Sequence, residues 1–442
     1  MNGKRRLKMK QLTRLFIPIC LETLFYMLSG MVDTLMLSAV GDYAVGAVGT
    51  ANSYIGIFII MFSIISSGMV SVMTQNIGAG RPGVAYQARQ LGLLFNAVAG
   101  VLMAVFLFSG AGAILRMVGI ADALYEPALI YLKIVGGGCI LNAVIPIFSS
   151  YLRAFGYTKQ PLYATIVGNI ANFVMNAVFL FILHKGVAGV ATATVISKIL
   201  NLCIVLYFSH KLISAKNSTE RIANKTVLGQ IVKVGLPSAC ETALYNVAMM
   251  LVIRFLNQMD AEGLNVTARS YTATISNFSY CVGAALAQAN AIMTGWHIGA
   301  GELEECDRGT KRAAFVGVCV AVCMETAIVL GSGFIMPLFT DNPEMTALVR
   351  KLLAIDIVLE IGRVTNLVFG QALKTSGDAV FPAVIAAVFM FVFAVGGTWL
   401  FGISMGLMAV GAYIGLASDE CVRAVGMVWR WKTGKWRTKK LV

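Results

Sequence analysis

Charge is what this sequence is shortest of. Asp, Glu, Lys and Arg make up 13% of its 442 residues, against 58% hydrophobic residues and a mean hydropathy of +0.79. Soluble domains carry roughly twice that charged share, so an ordinary water-exposed fold is excluded. Histidine is nearly missing. His184, His210 and His297 stand far apart, and there is no Asp-Asp pair, so the marks of an integral-membrane enzyme are lacking. No Gly-Lys-Ser/Thr follows Gly78-Ala79-Gly80, so that turn is not a phosphate loop, and any transport must run on a gradient or be passive. The nine cysteines form no framework. Most lie inside apolar runs and Cys306 is expected on the reducing side, which argues against disulfides. Cys319 and Cys323 share a helix face, but no His or carboxylate cluster joins them, so packing is favoured over metal.

What the chain has is apolar runs of bilayer length. Twelve are read: 12–40, 44–75, 88–116, 122–152, 160–184, 186–210, 228–258, 265–296, 309–338, 343–374, 380–402 and 405–430. The opening Lys4-Arg5-Arg6-Leu7-Lys8-Met9-Lys10 looks like the start of a secretory leader. The run behind it lacks a small-residue cleavage site and is too long, so an uncleaved first helix is expected. The net charge of +14 invites a nucleic-acid partner, but its distribution rejects one. Basic residues gather at the N-terminus, at Arg81 and Arg89, at Arg153 and Lys159, along Lys211 to Lys233, and from Arg430 to Lys440. Twelve spans place all of these on one side. The other side receives Asp42, Asp122 with Glu126, His184 with Lys185, Asp260 with Glu262, and Asp341 with Glu344. That is the positive-inside pattern of a multi-pass protein of the cell membrane with both termini cytoplasmic. The loop from Glu302 to Arg312 is mixed. Trp296, Trp429, Trp431 and Trp436 are expected as interface anchors at inner helix ends.

The chain also repeats itself. Pro18, Glu22, Thr23 and Tyr26 return at the same spacing as Pro237, Glu241, Thr242 and Tyr245, 219 residues later. Ile77-Gly78-Ala79-Gly80 returns as Ile298-Gly299-Ala300-Gly301, Leu152-Arg153…Gly156…Pro161 as Leu373-Lys374…Gly377…Pro382, and Gly186-Val187 as Gly406-Leu407. In-order matches at a nearly constant offset of about half the chain indicate two copies of one unit. Six helices return the chain to its starting side, so both copies enter the membrane in the same orientation. The expected architecture is an all-α membrane protein with two parallel six-helix lobes around a central cleft. Its parts are an N-terminal lobe 1–210, a cytoplasmic linker 211–227, a C-terminal lobe 228–430 and a basic tail 431–442.

Carboxylates inside apolar runs are costly unless they work. At 100° per residue, Glu22, Tyr26, Ser29 and Asp33 fall within 40° of one line, a polar stripe about 16 Å long. Lipid does not host such a stripe, so it faces the lobe interior or the cleft, as a working site or as polar glue between helices. Thr165, Asn169, Asn172 and Asn176 share a face of the fifth helix, where neutral oxygens and amides suit a cation beside a carboxylate. In the second lobe Glu241 repeats Glu22, but Val252 stands where Asp33 would recur. Asp356, Glu360 and Arg363 share a face of the tenth helix. Arg363 either pairs with Glu360 within the helix or neutralises Glu241 across the cleft, as a fixed pair or as a gate. Glu325 has no partner visible in the sequence. Tyr26 and Tyr245 offer ring faces to organic cations, and the many Met and Phe offer adaptable surface.

The proline-bearing first helix ending in Val32-Asp33-Thr34, the Gln75…Gly78-Ala79-Gly80 turn, and Leu152-Arg153…Gly156 with its copy resemble the MATE (multidrug and toxic compound extrusion) transporters over essentially the whole chain. The resemblance implies a twelve-helix fold that exports drug-like cations in exchange for protons or sodium ions, with no cofactor besides that coupling cation. It maps a cation-binding first-helix aspartate onto Asp33 and an Asn-x-x-x-Asp pair onto Asn172 and Asn176, the second of which is an amide here. Thr194 falls where such transporters place a sixth-helix threonine. The expected coupling set is thus Asp33, Glu22, Asn172, Asn176 and Thr194. The expected substrate set is Tyr26, Asn169, Tyr245, Glu241, Asp356, Glu360 and Arg363. The partners expected are small organic cations and the lipid bilayer, with no nucleic acid and no obligate protein partner. A lipid-linked saccharide flippase of the same export superfamily is the alternative, though such proteins often carry extra helices and a more basic cleft.

Overall fold

Hydrocarbon offers no partner to backbone N–H and C=O groups, so apolar runs of this length have to be helical. The computed structural model describes residues 2–117, 120–213, 220–260 and 263–442, without the side chains of residues 2–10 and Asp42. Among them every regular element is a helix: α1 (Asn2–Ser38), α2 (Asp42–Gly78), α3 (Pro82–Met117), α4 (Asp122–Gly137), α5 (Cys139–Ala154), α6 (Lys159–Ala177), α7 (Gly186–Leu212), α8 (Asn224–Met259), α9 (Leu264–Gly299), α10 (Leu303–Ile335), α11 (Pro343–Thr375), α12 (Val380–Phe389) and α13 (Met408–Lys432). The expected run 122–152 is broken at Gly138, where α4 and α5 meet at 41°. Three consecutive glycines, Gly136 to Gly138, supply the break, because such a stretch resists bending least.

Among the described residues eight helices are long and apolar enough to cross a membrane, and the bent α4–α5 pair makes one further span. The remaining three, α9, α11 and α13, complete the twelve. Two of these carry the buried charges Asp356 and Glu360, and Asp419, Glu420 and Arg423. They miss the lipid-like composition because one face of each is built for the protein interior.

The chain divides into two compact units, Thr13–Gly235 and Met1–Leu12 with Leu236–Val442. Part of the linker expected at 211–227 lies outside the described residues. Among those described, α8 already begins at Asn224 and runs without a break through the boundary. Its first turns belong to the N-terminal unit because two glycines let backbones touch. A Cβ on Gly235 would lie 1.7 Å from the Ile64 carbonyl oxygen, and one on Gly68 2.0 Å from that of Ile231. The segment expected as a basic tail also packs. Trp436 stacks on Trp431 at 4.2 Å, Leu441 is buried, and Arg437 reaches Glu304 at 2.7 Å. Trp431 and Trp436 are therefore core residues of the C-terminal unit rather than interface anchors, with the Trp431 indole N–H donating to Asp307. Trp429 is exposed.

The repeat is written into the backbone. Gly80 and Gly301 close α2 and α9 in the left-handed region, and in each the next amide donates to the carbonyl five residues back, Arg81 to Asn76 and Glu302 to His297. Gly156 and Gly377 do the same after α5 and α11. This is the glycine-closed helix end in which only a residue without Cβ is unstrained. Before α7 and α13 the match differs from the one read in sequence. Lys185 donates to Phe179 as Leu407 does to Phe401, and left-handed His184 and Gly186 correspond to Gly406 and Met408. The structural offset here is thus two residues longer than the Gly186–Gly406 pairing. A π-helical turn ends the preceding span in both copies, Val178–Ile182 and Thr398–Ser404.

Candidate cation and substrate sites

In the N-terminal unit, α1 lays Asp33 against α6. The Asn176 amide donates to Asp33 at 2.8 Å and to Asn172 at 3.1 Å, so three of the expected coupling residues form one chain of contacts. Thr194 spends its hydroxyl on the Val190 carbonyl and stands beside Tyr131, whose hydroxyl reaches Asn52 at 3.3 Å. Asn169 does not join this group. It donates to the Phe25 carbonyl of α1 at 2.9 Å and ties the two helices together. One cation enters that no motif announced. Lys198 of α7 donates to Asn142 at 2.8 Å and is close enough for its charge to act on Asp33. The signal was a lone lysine inside an apolar run, which marks an intramembrane site by default.

Glu22 is set apart from this group. It pairs with Arg153 at 2.5 Å. Its repeat, Glu241, pairs with Lys374 at 2.8 Å. The two most visible sequence repeats are therefore the two ends of one ion pair, made once in each unit. Of the polar stripe on α1, both carboxylates are engaged within the unit, whereas Tyr26 is 74% exposed.

The C-terminal unit holds a cavity of about 460 Å³ lined by Glu241, Tyr245, Asp356 and Arg363 among others. Four of the expected substrate residues thus meet there. Glu360 lies just behind, fully buried and bonded to Arg363. The choice left open for Arg363 resolves within the unit: it engages Glu360 and, at 3.7 Å, Glu420, while Glu241 is taken by Lys374. Arg423 in turn bridges Asp419 at 2.7 Å and Glu420 at 2.8 Å. The α13 charges Asp419, Glu420 and Arg423 escaped the sequence reading, although a charged cluster in an apolar run was there to see. Gly362 permits their approach, since a Cβ there would sit 2.7 Å from the Cys421 nitrogen of α13. Tyr26 and Asn169, the other expected substrate residues, belong to the N-terminal unit.

A protein-family model, MatE, matches residues 18–178 and 237–400, one stretch in each repeat. The chain belongs to the MATE family. It is 32% identical over 428 residues to the uncharacterized transporter YisQ of Bacillus subtilis strain 168, covering 96% of this chain and 94% of that one. It is 20% identical to the probable multidrug resistance protein NorM of Thermotoga maritima, covering 98% and 94%. Among solved structures, a MATE in complex with MaD5 superposes with a TM-score of 0.86 at 20% identity and 97% coverage of both chains. The fold is therefore that of MATE transporters, and the chain is a multi-pass membrane transporter rather than an enzyme. Within that MATE frame the two units carry different chemistry at matched positions. At the offset of Gly156 and Gly377, Asn142 corresponds to Arg363; at the offset of the α7 and α13 starts, Lys198 corresponds to Glu420. The cation sits on α7 in one unit and on α11 in the other.

Proposed function

We propose that this MATE transporter is a secondary active antiporter of the cell membrane, with both termini cytoplasmic. It exports organic, drug-like cations in exchange for protons or sodium ions by alternating access. The observation that supports this most is Asp33, an intramembrane carboxylate held by the neutral Asn176 amide and, among the described residues, bridged by no guanidinium. Such a group gains or loses a cation without dismantling an ion pair. In the C-terminal unit the cavity is lined by Asp356, Tyr245 and Tyr280, a carboxylate with aromatic rings of the kind that suits organic cations. Exchange follows when substrate and coupling cation each weaken the other's binding. One charge moved through 100 mV yields about 2.3 kcal/mol, enough for roughly a fifty-fold gradient of a neutral substrate. A monovalent cation exchanged one for one gains nothing from the potential, so a chemical gradient or a second coupling ion has to contribute.

The flippase reading draws on Arg269, Arg363 and Arg423 in the cavity wall, which suit an anionic headgroup. Arg363 and Arg423 are already spent on carboxylates, which weakens it. Efflux of a fluorescent cationic dye from everted vesicles, with the pH and sodium gradients collapsed separately, tests the proposal. Loss of efflux with one gradient supports it. Efflux indifferent to both gradients overturns it.

A further inference from the structure

The faces that α10 and α11 leave uncovered in the C-terminal unit are apolar along much of their length. Leu330, Phe334 and Leu338 are 73%, 88% and 82% exposed along α10 and its closing turn. Ala354, Val358 and Ile361 form an exposed stripe on α11. Such stripes on a membrane span belong against acyl chains. At one end the α11 stripe meets charge. Arg350 and Lys351 are exposed, and neither side chain makes an ion pair or hydrogen bond among the described residues. Arg350 is seven residues past Pro343, the first residue of α11, or about 10 Å along the axis. A groove of about 760 Å³ opens there, lined by Val329, Pro337, Ala354, Arg350, Lys351 and Asp341 among others. Asp341, just ahead of α11, is exposed and likewise unpaired among the described residues. Side chains on a helix lean toward its N-terminus, so Arg350 and Lys351 lean up the groove toward Asp341. The order along the groove is an apolar floor, two cations, and one carboxylate at the rim.

We propose that this groove binds one phospholipid with a zwitterionic phosphoethanolamine headgroup. Arg350 and Lys351 hold the phosphate diester, Asp341 accepts from the headgroup ammonium, and the chains lie along Val329, Ala354 and the exposed stripes. Guanidinium and ammonium groups are the side chains that take phosphate, and cations near the end of a span reach for the headgroup layer. A phospholipid presents the same order as the groove: chains deepest, phosphate next, ammonium outermost. The carboxylate at the rim repels a purely anionic headgroup. A choline headgroup keeps the positive charge but has no N–H to donate to Asp341. On the orientation proposed above this rim is the outer one, which assigns the lipid to the outer leaflet. The binding itself rests neither on that orientation nor on the antiport reading.

The test is native mass spectrometry of the full-length protein, delipidated in detergent and titrated with phosphatidylethanolamine, phosphatidylglycerol or phosphatidylcholine of identical chains. The wild type is expected to take up one phosphatidylethanolamine at saturation and to bind it more tightly than the other two. Arg350→Gln combined with Lys351→Gln should weaken that uptake by on the order of tenfold or more, since two charge-assisted hydrogen bonds are lost. Asp341→Asn should still bind lipid but lose the preference for phosphatidylethanolamine. Glycerophosphoethanolamine, the same headgroup without chains, should not displace the lipid at equal concentration. The proposal is overturned if the wild type binds no lipid saturably or shows no preference, if the double variant binds as the wild type does, or if Asp341→Asn keeps the preference. Displacement by the chainless headgroup overturns it too, because the groove would then hold a soluble phosphate. Asp341→Asn carries the test alone if the double variant fails to fold. No transport is measured, so failure here leaves the antiport reading standing.

Discussion

In the N-terminal unit a lysine of α7 donates to a neutral amide of α5, and in the C-terminal unit the matched contact joins a glutamate of α13 to an arginine of α11. Around the first lie one carboxylate, Asp33, and a set of amides. Around the second lie Glu325, Asp356, Glu360 and Asp419. Duplication preserved what the backbone needs: the left-handed glycines, the π-helical turns, and the Glu22–Arg153 and Glu241–Lys374 pairs. The intramembrane charges diverged within that shared frame, and the ion pairs they make close inside each unit. The result is two polar interiors of different cost. Removing a partner from a buried ion pair strands a charge, while removing one from an amide does not.

The largest effect expected from this contrast is on transport. Asp33→Asn should reduce gradient-driven efflux to background at wild-type protein levels, because an amide does not exchange a proton or hold a cation by charge. Glu22→Gln should be milder, since Glu22 is held by Arg153. Vesicle efflux normalised to protein amount decides it. Wild-type export by Asp33→Asn would make that carboxylate polar glue and move the coupling role to the C-terminal unit.

The largest effect on stability should come from Arg363→Met. It leaves Glu360 and Glu420 with one fewer cation in a buried network and should cost about 3–5 kcal/mol. Lys198→Met, at the cation of the N-terminal pair, removes one hydrogen bond to a neutral amide and should cost about 1 kcal/mol. Denaturation of both variants in the same detergent tests the ordering. Equal losses would erase the asymmetry between the units.

A backbone contact gives a third, smaller effect. Gly235→Ala places a Cβ against the Ile64 carbonyl and should cost about 1–3 kcal/mol by overpacking α8 on α2. Gly229, whose Cβ would meet nothing within 4 Å, is the control and should tolerate alanine. Unequal melting temperatures are expected, and equal ones would remove the close approach as the reason α8 begins in the N-terminal unit.

These comparisons also mark how far sequence reasoning reached. The twelve spans and the repeat were legible because hydropathy and glycine position report local physics: chain length against bilayer thickness, and backbone angles that reject a Cβ. Asp33, Asn172 and Asn176 were legible because one helical face of each element held them together. Partners between helices were not. Glu325 looked solitary because Asp356 and Glu360 lie on the next helix at a register that only packing sets. Trp431 and Trp436 looked like interface anchors because their burial depends on the chain folding back after α13. The ion pair of Glu22 was hidden because its stripe showed its face but not Arg153 opposite.

A last pair of effects, also small, separates scaffold from chemistry most cleanly. Glu22–Arg153 and Glu241–Lys374 occupy equivalent places, with side chains 12–20% exposed. A partly buried pair lies between the exposed and buried extremes, so Glu22→Gln and Glu241→Gln should each cost about 1–2 kcal/mol. If both pairs serve the fold, the two losses should be similar. The charge-swapped double variants, Glu22→Arg with Arg153→Glu and Glu241→Lys with Lys374→Glu, should then recover most of each. Efflux should follow stability in all four. If instead Glu241→Gln weakens binding of a cationic dye while its swapped partner restores Tm but not binding, Glu241 acts on substrate from the cavity wall it lines. Dye-binding titrations beside the melting curves distinguish the two. A matched recovery in both readouts would leave the Glu–base pair as the part of this transporter that both units still share.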